Sequence, residues 1–168
     1  MKFAIDIIIV LVLGSVTFFV YQIYAEDVRL FLSGNDSYYT VYINNVALSV
    51  TVADDTLELQ QGLSNIQSIK EFEGKLFVFP NAQRHGIWMK DMLFPVDIMW
   101  FDDNLKLIHV EHNVHPDTFD TVFAPDADAR FVLETNAHFV KSLQIAEGDR
   151  ISLPAALIPQ DIKRRLQE

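Results

Sequence analysis

Hydrophobic and polar positions divide the chain into two regimes. From Ile7 to Val20 the sequence is almost unbroken hydrocarbon, IIIVLVLGSVTFFV. From Tyr38 onward the apolar runs shorten to strand length and are broken by polar turns. The densest part is Leu76 to Val110, where Pro80, Gly86, Pro95 and the Asp102-Asp103-Asn104 turn separate consecutive apolar segments. The pattern predicts a β-hairpin over Tyr38–Ile43 and Val46–Val52 around an Asn44-Asn45 turn. It then predicts strands at Leu76–Phe79, Ile87–Met89, Asp97–Phe101, Leu105–His112, Arg130–Glu134 and Ile151–Leu153. On the strand from Leu105, strict alternation puts Leu105, Leu107, His109 and Glu111 on one face. Two short helices are expected. Asp55 caps the first, with Glu58 three residues on, and Asn136 caps the second, whose apolar face is Phe139, Val140 and Leu143. Asn113–Ala129 reads as a long loop, and Pro159–Glu168 as a basic surface helix.

The first regime reads as a membrane anchor. Extended through Tyr24 it gives roughly 18 residues, or about 27 Å of helix, close to one bilayer core. Tyr21 and Tyr24 sit where interfacial aromatics belong. The competing reading is a cleaved signal peptide ending at Ala25. Tyr24 and Ile23 make a poor small-residue site, and Lys2 is a thin positive flank. Lys2 on one side, with Glu26 and Asp27 on the other, orients the N-terminus toward the cytoplasm and the rest outside it. The expected organisation is a transmembrane anchor over 1–25, a linker over 26–37, a β-rich domain over 38–154 and a tail over 155–168. The fold class is therefore mainly β: a compact antiparallel barrel or sandwich with two short packed helices, behind one transmembrane helix.

Charge narrows the partners. The net charge is −10, and Lys2 and Asp6 cancel, so the whole imbalance lies beyond the anchor. So acidic a domain is not expected to bind nucleic acid, which needs a basic patch. There is no cysteine, which excludes disulfides, thiol chemistry and thiolate-ligated zinc.

Three groups of residues carry candidate chemistry. Trp88, Lys90, Asp91, Asp97 and Glu134 combine a stacking face with ions, suited to an anionic or sugar ligand. The same set reads equally as a structural cluster around Pro95, with Asp97 capping backbone amides and Glu134 paired to Lys90 or Arg130. His109, Glu111 and His115 have ligand types that suit a divalent metal, but not the spacing of a known metal motif. Asp117, Asp120, Asp126 and Asp128 offer oxygen ligands without the spacing of a calcium loop, and read as a solvated acidic segment. Glu58 as a catalytic acid competes with plain helix capping. No metal or other cofactor is expected.

The order and spacing of Gly62-Leu63, Leu76-Phe77-Val78-Phe79, WMKDMLFPVDIMWFD (Trp88–Asp102), FVLETNA (Phe131–Ala137) and EGDRI (Glu147–Ile151) resemble the domain of unknown function 192 family. That family is also described as uncharacterised conserved membrane proteins. The resemblance covers roughly Val46 to Leu153. It implies a compact, mainly antiparallel β-fold behind a signal peptide or anchor, and it implies no activity. The chain departs from the family pattern at Ser64 and Lys75, where Met is common, and at His138, where Gly is frequent. It also lacks the cysteines that some members carry before Arg130.

Together these features lead to a binding or assembly module of the cell envelope, recognising a small ligand, a glycan or a partner protein. Its recognition surface is expected on the Trp88–Asp97 and Asn113–Ala129 loops. The competing classes are a carboxylate- or metal-dependent hydrolase and a purely structural partner of another membrane protein. An enzyme requires a concave pocket with converging carboxylates and a strongly raised pKa. A binding module requires an exposed aromatic cleft.

Overall fold

The computed structural model describes residues 37–165. The predicted anchor and nearly all of the predicted linker lie outside the described residues. Among the described residues no helix is long and apolar enough to cross a membrane.

Among the described residues nine strands form: β1 (Tyr39–Ile43), β2 (Val46–Ala53), β3 (Glu73–Gln83), β4 (Ile87–Trp88), β5 (Val96–Phe101), β6 (Leu107–Val114), β7 (Val122–Phe123), β8 (Ala129–Asn136) and β9 (Ile151–Ser152). Seven make one curled sheet in the order β6-β5-β8-β3-β2-β1-β9, while β4 and β7 pair separately. The helices are short: α1 (Thr56–Gln61), α2 (Phe139–Ser142) and α3 (Gln160–Arg165). The mainly β class is therefore what the chain adopts, as a half-barrel. The antiparallel rule has one exception, because β2 and β3 run parallel. A parallel pair needs a crossover between its strands. Residues 54–72, including α1, provide it.

The hairpin turn follows from its two asparagines. Asn44 and Asn45 both take positive φ, 48° and 68°, as a tight two-residue hairpin turn requires. The first helix start also forms as its sequence implies. Asp55 Oδ1 accepts the Leu57 and Glu58 amides at 2.8 and 2.9 Å, and Glu58 Oε2 accepts the Asp54 amide at 3.2 Å.

Both faces of the sheet are covered, so the central strands are apolar nearly throughout. Inside the curl, Val41, Leu48, Leu76, Leu133, Met99, Phe101, Leu107 and Ile151 draw on all seven strands. Phe139, Val140, Leu157 and Ile162 close that core. On the outer face Phe77, Val132, Ile98 and Trp100 pack against Leu63, Ile87, Met89 and Met92 from the crossover and the β4 region. At one end the two sheet edges meet, through an antiparallel bridge between Lys106 and Arg150.

Other expectations are corrected by local backbone events. In β6 the register with β5 steps from Trp100↔His109 to Phe101↔Leu107, leaving Ile108 as a bulge. Leu107 thus joins the inner core while His109 lies near Trp100, ring centroids 5.3 Å apart, so the two do not share a face. Asn136 ends β8 instead of capping α2. Its amide donates to the carbonyls of Ile69 and Lys70, and the helix cap is His138 at φ 71° with no side-chain bond. That left-handed φ explains why glycine suits this position. The Asn113–Ala129 stretch carries the end of β6, a 3-10 turn at Pro116–Thr118 and β7. In the tail, α3 forms, but Ile162 is fully buried beneath it.

Candidate functional site

Successive side chains alternate across a strand. In β8 that puts Phe131 and Leu133 into the inner core and Glu134 on the outer face. Its cross-strand neighbours are Lys75 on β3 and Ile98 on β5. Lys75 is likewise buried, at 6% exposure, and Glu134 at 3%. No ion pair joins them within 4.0 Å among the described residues.

The crossover roofs this carboxyl. Gly62 ends α1 at φ 50°, and a side chain there would meet the Phe77 ring at 3.0 Å and reach within 3.9 Å of Glu134 Oε2. The glycine therefore keeps open the space above the acid. The turn after it is pinned to the β4 region: Ser64 Oγ donates to the Lys90 carbonyl and the Asn65 amide to the Asp91 carbonyl, each at 2.8 Å. A cavity of about 50 Å³ remains, with Glu134 facing it among Leu59, Gly62, Leu63, Phe77, Trp88 and Met92. One water needs only about 10–15 Å³ by the same measure. Past Trp88 and Met92 an open groove of about 750 Å³ runs between the 88–92 turn and Pro116, Phe119, Asp120 and Val122. The two segments expected to form a recognition surface thus line one groove, joined by the β4–β7 pairing of Ile87 with Phe123 and Trp88 with Val122.

Glu134 is electrostatically unusual. Its Oε2 is buried without a hydrogen-bond partner. Burial pushes its pKa up to about 8, with the nearby Lys75 charge pulling the other way. Buried carboxyls are ordinarily hydrogen-bonded.

The first predicted constellation divides into three places. Trp88, Lys90 and Asp91 border the groove, with Trp88 half exposed and the Lys90 ammonium 5.3 Å from its ring centroid. Glu134 is below them in the pocket. It neighbours Lys75 rather than Lys90 or Arg130, because Arg130 is engaged by Asp161 at 3.1 Å and Asp103 at 3.9 Å. Asp97 belongs to the opposite face of the sheet. Its carboxylate accepts the Asn113 amide at 2.8 Å and the Val140 amide at 2.9 Å. It thereby satisfies a residue of the second β6 bulge and the start of α2.

The histidine set does not converge. His109 Nε2 lies 3.0 Å from Glu111 Oε1, while His115 pairs with the Asn113 amide at 3.2 Å. Among the described residues no three His, Asp or Glu side chains are placed to hold a metal ion. Asp126 pairs with Arg84 and Asp120 borders the groove, so the acidic segment is not one cluster.

The sequence reading missed Lys75, Gly62 and Met92 as parts of the site. One signal was available: Lys75 and Glu134 are opposite charges that each adjoin an apolar run, Leu76–Phe79 and Phe131–Leu133.

A family model for DUF192, described as an "Uncharacterized ACR", matches residues 39–153. Among solved structures the chain resembles a Sinorhizobium meliloti 1021 protein offered as a transcription regulator. The TM-score is 0.66 at 24% identity, over 70% of this chain and 94% of that one. It also resembles a protein of unknown function from Novosphingobium aromaticivorans DSM 12444. Here the TM-score is 0.65 at 20% identity, over 68% and 84% of the two chains. At these identities the likeness shows the fold alone. No curated protein matches the chain.

Proposed function

The chain belongs to the DUF192 family, and on that premise we propose that it is a non-catalytic ligand-binding module working through the Trp88 groove and the Glu134 pocket. The observation that carries this reading is the unpartnered oxygen of Glu134, buried and facing a cavity of about 50 Å³. A buried polar atom without a partner costs about 1–3 kcal/mol. A fold gains nothing from an acid in that place unless something is received there. The exposed faces of Trp88, Phe119 and Val122 along the groove supply contact area for the rest of a ligand.

In this reading the domain stands outside the cytoplasm, tethered by the apolar run from Ile7 to Val20, and meets its ligand or envelope partner there. Support comes from that run's length and its flanking charges, Lys2 against Glu26 and Asp27. Nucleic acid is not among the partners proposed, given the net charge of −10.

One observation favours the hydrolase reading: a carboxyl with a pKa of about 8 holds a proton available near neutral pH. Against it, Asp97 lies across the sheet, and Glu134 is the only acid lining the pocket among the described residues. The Ser64 hydroxyl commits its proton to the Lys90 carbonyl rather than to a base.

The test is a thermal-shift and tryptophan-fluorescence screen of the full chain with small amines, alcohols, acids and oligosaccharides. Each hit is repeated in Trp88→Ala and Glu134→Gln. A native-state ligand raises the melting point by mass action. Trp88 is half exposed while Trp100 is fully buried, so quenching reports on the groove. Hits that vanish in both folded variants support the reading. Hits that persist in both overturn it. The tether is tested separately, by whether alkaline phosphatase fused to the C-terminus is active, which requires export.

A further inference from the structure

We propose that the Glu134 pocket receives the ammonium head of an amine whose hydrocarbon stem lies along Trp88 into the groove. This deepens the ligand-binding reading and rests on it.

An ammonium has three donors and no acceptor, so its site must offer acceptors. The pocket does so. Glu134 Oε2 is unpartnered. Ser64 Oγ commits its proton to the Lys90 carbonyl, leaving its lone pairs free to accept. Gln60 and Gln61 also line it, and a side-chain amide offers an acceptor beside its donors. Leu63, Phe77 and Met92 supply apolar wall for the methylenes next to the nitrogen.

The approach is also built for a cation. The Trp88 ring already has one at 5.3 Å, the Lys90 ammonium. Asp91 and Asp120 border the groove, and the chain as a whole carries −10. A carboxylate-bearing ligand would meet Glu134 and both aspartates. A neutral alcohol would gain nothing from the charge of those aspartates.

The charged groups around Glu134 are few. From β3 it faces Lys75, which forms no ion pair with it. The α1 end presents Gln60, Gln61 and Ser64, β4 presents Trp88, and β5 presents Ile98; none of these ionises near neutrality. Binding is then an exchange. The carboxyl gives its proton to solvent and the ammonium replaces that proton as its partner. Since burial holds Glu134 protonated up to about pH 8, amine affinity should rise about tenfold per pH unit between 6 and 8 and level off above.

The experiment compares n-butylammonium, 1-butanol and butyrate on the full-length protein in mild detergent, by tryptophan fluorescence and ligand-detected NMR at pH 6, 7 and 8. The expected result is binding of the amine at least tenfold tighter than either analogue, strengthening with pH and abolished in Glu134→Gln. Lys90→Met should tighten amine binding, by removing the cation that competes for the ring. Circular dichroism of Glu134→Gln confirms that lost binding is not lost fold. Butanol or butyrate binding as tightly as the amine in a Glu134-dependent way, or amine affinity falling as pH rises, overturns the amine assignment and leaves the pocket as a site. Binding of none of the three, or equal binding to wild type and Glu134→Gln, overturns the amine assignment and the pocket reading together.

Discussion

Burial makes the stability contributed at Glu134 depend on pH. Its folded pKa of about 8 lies above the ordinary 4.5, so between those values the folded form holds a proton that the unfolded chain releases. The stabilisation associated with that proton is fully present below pH 4.5. It is lost as pH rises toward 8, at up to about 1.4 kcal/mol per unit. Glu134→Gln should therefore flatten the pH profile of stability. Its melting temperature should match wild type near pH 4.5 and exceed it at pH 8 by roughly 5 °C or more, read in parallel scans. Lys75 pulls the other way, so Lys75→Met should move the Glu134 titration upward, as followed by carboxyl-carbon NMR. Half of this site was legible beforehand. Trp88 and Glu134 stand out in the sequence because each is costly where it sits. What surrounds Glu134 was not legible: Lys75 and Glu134, on strands distant in sequence, become neighbours only once the β3–β8 register is known. Asp97 shows the converse. It looks as reactive as Glu134 on paper, yet both its oxygens are used to hold backbone amides.

Among the elements, those fixed by local chemistry were the readable ones. The two asparagines of the β1–β2 turn and the Asp55 cap specify their geometry within a few residues. Strand partners and bulges depend on the rest of the sheet, which is why the parallel β2–β3 pair and the Ile108 bulge were not foreseen. The parallel pair matters most. Two hairpin-linked strands would have needed no segment crossing the sheet, and the outer face over Glu134 would have lain open. The crossover that parallel pairing demands is the pocket's roof. Two predictions address the junction between β5, β6 and α2. Asp97→Ala leaves the Asn113 and Val140 amides without their acceptor and should cost about 3 kcal/mol or more in urea denaturation. His138→Gly relieves a left-handed φ of 71° at an exposed position and should stabilise by about 1 kcal/mol.

The described residues form a curled sheet whose two cores share their central strands. β3, β8 and β5 are covered on both faces and should exchange their amides last, whereas the two-stranded β4–β7 pair should exchange early in hydrogen-exchange mass spectrometry. The groove borders the pair expected to open first, so ligand entry need not wait for global unfolding. The meeting of the sheet's ends at Lys106 and Arg150 has a consequence for life in a crowd. Among the described residues the outward backbone along the rest of β6 has no strand neighbour, but Ile108 and Asn113 bend it and His109, Glu111 and His112 line it with polar groups. An edge so shaped is a poor template for another copy's strand. Molecules packed side by side at high density are thereby kept from zipping into fibres along this edge.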